Sequence, residues 1–226
     1  MRSLSMVGCI ALLLSVFCFT VFVDAARAQE SPREQYIPVL TVTTGGKLTG
    51  MVDKIMVLFA IRDDAGGLDV HFITGPGRFT QETQAAIAQS IARTARALGL
   101  STDSWSVGLS VPTPGLTIDG DSLSAMVGLT VGAMAKGESI PRNRVITGTV
   151  SSDGRIGPVG GVALKVTAAH QAGLHMILVP ATAYSKTKTP PRVQVLPVSS
   201  VSQAYQALTA PDSPEFHHRR SLAVVG

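Results

Sequence analysis

Asp119-Gly120-Asp121-Ser122-Leu123-Ser124-Ala125 and, further on, Gly160-Gly161-Val162-Ala163-Leu164-Lys165-Val166-Thr167-Ala168-Ala169-His170 bracket the most informative part of this sequence. Between them lie a run of small residues, a Thr147-Gly148 pair and a glycine-rich turn, Asp153-Gly154-Arg155-Ile156-Gly157. Ser124, Gly128 and Gly132 recur every four residues and share one face of a helix expected from about Ser122 to Lys136. A glycine costs a helix roughly 1 kcal/mol relative to alanine, so the pair on one face points to the close approach of another backbone. Lys165 is the chemical anomaly, an ammonium in a run of glycines, alanines and aliphatics. Burial disfavours the charged form of a lysine, and a neutral lysine beside a serine hydroxyl is a way to activate that serine.

These motifs, in this order and without a gap, resemble the proteolytic domain of Lon proteases. The resemblance implies a serine peptidase with a Ser-Lys dyad: Ser122 as nucleophile and Lys165, 43 positions on, as base. Thr147 matches a family threonine placed beside the lysine, and Asp119 matches an acidic position just ahead of the serine. The Gly-Asp-Ser wording is closer to the membrane-associated, archaeal-type branch than to the Gly-Pro-Ser of the soluble bacterial one. Similarity is strong from about Leu116 to Pro180 and extends back to about Met56. It implies an α/β (α+β) fold, a mixed β-sheet covered by helices, and assembly into homo-oligomeric rings. The chain departs from complete Lon proteases, which carry an ATPase. Gly45-Gly46-Lys47-Leu48 lacks the leading glycine and the hydroxyl residue of a phosphate-binding loop. The expectation is an ATP-independent endopeptidase for unfolded or flexible polypeptides, with no cofactor. An inactive scaffold or peptide-binding module of the same fold, and a small-molecule amidase or esterase, are the alternatives.

Each candidate also has an ordinary explanation. Serines ahead of helices are usually caps; the functional reading of Ser122 rests on the free N–H groups a helix start offers a developing oxyanion. Ser124 competes for the same role. Lys165 alone would be a surface lysine, but it falls in the first turn of a helix expected over Val162 to Ala172, where the macrodipole disfavours a cation. Lowering a lysine pKa by about three units requires roughly 4 kcal/mol. Thr147 is otherwise a plain strand threonine. No Gly-x-Ser-x-Gly elbow is present, which argues against an α/β-hydrolase. His170 points to a different helix face from Lys165 and reads as structural, and His71 sits in a strand pattern, in the core or at its rim. No His/Asp/Glu cluster has ligand spacing, the His217-His218 pair is too sparse, and no metal is expected.

Around this centre, 226 residues suit one medium domain with appendages, and 45% hydrophobic residues allow a sizeable core. The net charge of +4 is mild and its basic residues are scattered, so nucleic acid is not an expected partner. Leu4 to Val23 is almost wholly apolar and Ala26-Arg27-Ala28 follows it, giving residues 1–28 as a signal peptide or a retained membrane anchor. Either form exports the rest. Cys9 and Cys18 both lie in this segment, so the remainder has no disulfide and no thiol nucleophile. Residues 29–35 read as a linker, 36–210 as the proteolytic domain and 211–226 as a loose tail. Strands are expected at Tyr36 to Thr43, then at Lys54 to Ile61 and Leu68 to Ile73 as a hairpin. A helix capped by Thr80 follows from Gln81 to Leu98. Further strands are expected at Ser106 to Val111, Arg144 to Val150, Arg155 to Val159, His175 to Val179 and Val193 to Leu196, and a last helix at Ser199 to Leu208.

Overall fold

Alternating inward and outward side chains build the first layer. The structure, a computed structural model, describes residues 31–43, 46–184, 190–191 and 193–211. The apolar segment Leu4 to Val23, the Ala26-Arg27-Ala28 motif and the tail after Pro211 lie outside the described residues. β1 (Arg33–Val42) and β2 (Gly50–Ile61) pair antiparallel from Arg33 opposite Phe59 to Val42 opposite Gly50. Ile55, Val57 and Phe59 of β2 are buried in alternation with less buried neighbours, as one face of a pleated strand requires. The strand begins before the expected Tyr36: Arg33, Glu34 and Gln35, placed in a linker by their polarity, are part of the sheet. Distant partners explain this, since Gln35 donates to the carbonyl of Ile140 (2.8 Å) and Arg33 to that of Met134.

β3 (Asp69–Ile73), β4 (Arg78–Phe79), α1 (Gln81–Ala97) and β5 (Trp105–Ser110) follow. The order in the sheet is β1-β2-β5-β3, with β5 antiparallel to β2 and parallel to β3. The expected hairpin between β2 and β3 is therefore absent: β5 takes the place between them. Arg62 holds the connecting loop over the inserted strand. Its guanidinium donates to Gly67 O (2.7 Å) and to Asp64 (2.9 Å), while its own N–H reaches Ser104 O (2.7 Å). A true hairpin lies one strand earlier, between β1 and β2.

Thr80 caps α1 as expected, its hydroxyl accepting from Thr83 N, and Ile87, Ile91 and Ala95 form the buried stripe. β6 (Thr117–Ile118) pairs parallel with β4 and leads into α2 (Ser124–Ala135). From Ser124 to Met134 every residue of α2 is buried. The glycine face does meet another backbone. A Cβ on Gly128 would lie 2.5 Å from Thr94 Oγ1 and 3.0 Å from the carbonyl of Ser90, both on α1.

The second half supplies β7 (Arg144–Ile146), β8 (Thr149–Val150), β9 (Ile156–Gly157), α3 (Val162–Gln171), β10 (Met176–Pro180), a short α4 (Ala181–Tyr184), β11 (Gln194–Val198) and α5 (Val201–Thr209). β11, β10 and β7 make a parallel three-stranded sheet, and β8 pairs with β9 as a separate antiparallel ribbon. The single strand expected over Arg144 to Val150 is thus two, broken at Thr147-Gly148. The α/β class holds, with strands divided between a mixed sheet, a parallel sheet and two small ribbons. Arg144 is buried and donates to the carbonyls of Ala207 (3.1 Å) and Leu208 (3.0 Å), which ties the last turn of α5 to β7. Among the described residues no helix is long and apolar enough to cross a membrane.

Candidate active site

The turn before α2 carries the first candidate side chain. Gly120 adopts φ 92°, where a side chain would be strained, and Ser124 N–H closes the turn on Asp121 O (2.9 Å). Ser122, expected at the start of the helix, lies instead in the turn two residues ahead of α2, half-buried. Its carbonyl accepts the N–H of Gly148 (2.8 Å) and the hydroxyl of Thr147 (3.3 Å), and Ala125 N–H returns to Gly148 O (3.1 Å). The break between β7 and β8 is thus hydrogen-bonded to the serine turn from both sides.

α3 brings the second. Its first turn starts at Gly161 (φ 67°), and Lys165 N–H donates to Gly161 O (3.0 Å). The helix lies against the start of β2, where a Cβ at Gly50 would stand 2.2 Å from the carbonyl oxygen of Leu164. Only glycine allows that approach. Lys165 turns inward and is 3% exposed. Its Nζ donates to Ser122 Oγ (2.6 Å) and to Thr147 Oγ1 (3.2 Å).

Burial lowers the pKa of Lys165 from the ordinary 10.5 to about 8, against the opposing pull of the Asp121 carboxylate. At pH 7 a lysine with a pKa near 8 is neutral about one time in ten, against about one in a few thousand for a solvated one. In the neutral form the 2.6 Å contact runs the other way, from the serine O–H to the lysine nitrogen. Thr147 touches both partners at once, accepting from Lys165 and donating to the carbonyl of Ser122.

Ser122, Lys165 and Thr147 therefore meet in one place. Asp119 does not join them. Its carboxylate is exposed and accepts from Thr80 Oγ1 (2.8 Å), at the cap of α1. Sequence reasoning passed over Asp121, the exposed carboxylate whose charge acts on Lys165; its only signal was adjacency to Ser122. Ser124, the competing candidate, is 2% exposed and its carbonyl accepts from Ser90 Oγ (2.7 Å), whereas the Lys165 contact is made to Ser122. His71, expected in the core or at its rim, is 63% exposed and paired with Asp69 (2.7 Å), because β3 is an edge strand. Among the described residues no group of three or more His, Cys, Asp or Glu is placed to hold a metal ion.

The chain matches the sequence profile of the Lon protease (S16) C-terminal proteolytic domain over residues 29–208. It is 29% identical over 143 residues to a Lon protease of Mycolicibacterium smegmatis, covering 62% of this chain and 18% of that protein. A Lon protease of Desulforamulus reducens is 27% identical over 125 residues, 50% of this chain and 15% of its own length. An archaeal Lon protease of Archaeoglobus fulgidus is 29% identical over 93 residues, 39% of this chain and 15% of its own. The matches thus span less than a fifth of these relatives.

Proposed function

Because this chain belongs to the family of Lon protease (S16) C-terminal proteolytic domains, we propose that it is a serine endopeptidase that cuts unfolded or flexible polypeptides without ATP. The observation that carries this is the 2.6 Å contact between Lys165 Nζ and Ser122 Oγ, made by a lysine 3% exposed. Neutral Lys165 takes the hydroxyl proton as Ser122 attacks the scissile carbonyl, and the resulting ammonium gives a proton to the leaving amine. Water then enters by the same exchange and releases the acyl group. The Ser122 N–H, at the turn before α2, is the donor suited to the oxyanion. Thr147 keeps the lysine nitrogen aimed at the serine through its 3.2 Å contact.

ATP independence is proposed because both reacting groups already meet within this one domain, at 2.6 Å. Extended substrates are then the ones the dyad can cut without prior unfolding. A peptide-binding scaffold would have no use for a buried lysine against a serine. We also propose export, on the strength of Leu4 to Val23 and Ala26-Arg27-Ala28; the N-terminal residue of protein isolated from its own cell distinguishes a cleaved from a retained segment. Ring formation is a separate question that light scattering answers, as the dyad is complete within one protomer.

The test is digestion of casein with and without ATP, alongside labelling by a serine-reactive phosphonate. Cleavage that needs no ATP, with the label on Ser122, is expected. A Ser122→Ala variant that still cleaves casein would end the proposal.

A further inference from the structure

Thr147-Gly148 is the point from which both halves of the dyad are held. Thr147 N–H is anchored in the parallel sheet on Leu178 O (3.1 Å), and its hydroxyl contacts Lys165 and the Ser122 carbonyl. Gly148 then makes a reciprocal pair of backbone bonds with the serine turn: N–H to Ser122 O (2.8 Å) and O from Ala125 N–H (3.1 Å). Behind Gly148 stands Ile156 of β9. A Cβ at position 148 would lie 2.8 Å from Ile156 Cγ2, while its other neighbours, Gly157 O (3.6 Å) and Ala125 Cβ (3.8 Å), are at ordinary contact distance. Ile156 cannot easily retreat. It is buried, paired with Val150, and its N–H is bound to Ser199 O (3.0 Å).

We infer that Gly148 is a positioning residue for the nucleophile, wedged by Ile156 so that the Ser122 carbonyl, and with it Oγ, stays at bonding distance from Lys165. The inference rests on the Ser122–Lys165 reading. A side chain at 148 has one place to press, against Ile156, and the recoil moves the peptide group that holds Ser122. Gly148 touches no reacting atom; it acts through the serine turn.

The experiment compares wild type, Gly148→Ala, Ile156→Ala, the double variant and Ser122→Ala for kcat, KM, phosphonate labelling rate and Tm. Gly148→Ala should lower kcat and labelling about 100-fold, the size expected of an ångström-scale misplacement, with KM little changed. The double variant, which gives the new methyl its space, should recover about tenfold in kcat over Gly148→Ala although its Tm is lower still. Activity and stability moving in opposite directions is the outcome a merely structural glycine would not produce. Activity that simply follows Tm through the series, or a Gly148→Ala enzyme with wild-type kcat, overturns the inference. If Gly148→Ala does not fold, Ile156→Leu takes its place. It conserves volume but removes the atom in contact with Gly148, and should lower kcat at nearly unchanged Tm; an unchanged kcat counts against the wedge. An active Ser122→Ala would instead indict the dyad.

Discussion

An ammonium kept from water destabilises its surroundings unless it surrenders its proton, and the base proposed at Lys165 owes its lowered pKa to the burial of its side chain. The kcat/KM of the wild type should rise with pH through a pKa of about 8. Asp121 favours the protonated form, so Asp121→Asn should move this limb to lower pH and raise the rate at pH 7; a pH–rate series on a peptide substrate checks both. Lys165→Arg should be inactive, since a guanidinium does not deprotonate in proteins. The same burial burdens the fold. The native pKa lies below the unfolded one, so the unfolded chain binds more protons between about pH 8 and 10.5, and stability rises with pH over that window. Below it both states are charged and the cost is fully present. Lys165→Met should therefore raise Tm at pH 7 and lose that advantage above pH 10.5, as thermal denaturation at the two pH values would show. The serine, lysine and threonine were legible through the resemblance to the Lon proteolytic domain, and Lys165 also because an ammonium is out of place in an apolar run. The partner of Asp119 was not: Thr80 comes from 39 residues away and nothing local announces it.

At the scale of elements, the two glycines of α2 differ. A methyl on Gly128 meets Ser90 backbone at 3.0 Å and Thr94 Oγ1 at 2.5 Å, and α1 cannot yield without moving. Gly128→Ala should cost about 1–3 kcal/mol, the usual penalty of overpacking. At Gly132 the near atom is Leu98 Cδ1 (2.9 Å), the tip of a half-buried side chain that can rotate away. The gain in helix propensity, roughly 1 kcal/mol, should leave Gly132→Ala near neutral. Urea denaturation of the two variants separates them. The close crossing was readable from the four-residue spacing, and α1 from its cap and stripe. What could not be read was where a run of strand-forming residues stops. Thr147 continues the β-branched pattern begun at Val145 and its N–H still bonds Leu178 O of β10, yet its hydroxyl and both backbone groups of Gly148 go to the serine turn. Strand propensity reports local fit, and distant partners decide the break.

Across the whole molecule, long-range ties from polar residues fasten the last helix to the middle of the chain. Arg144 is held under α5 by the carbonyls of Ala207 and Leu208, and Tyr205 donates to Glu138 (2.8 Å) from the same helix. Arg144→Ala leaves these carbonyls without their charged donor and should cost about 2 kcal/mol or more, measurable as a lowered urea midpoint at unchanged slope. The overall class followed from the order of apolar runs, whereas strand order did not, because β5 joins its sheet from beyond α1. That insertion has a consequence for synthesis. The residues of β2 and β3 leave the ribosome before those of β5, with a loop between them suited to direct pairing. In the newborn chain their satisfying partner does not yet exist. The edges of β2 and β3 must stay open, or come apart again, until Trp105–Ser110 arrives. During that interval the open edges of the two strands present unpaired backbone to other chains, and the interval includes the time taken to translate α1.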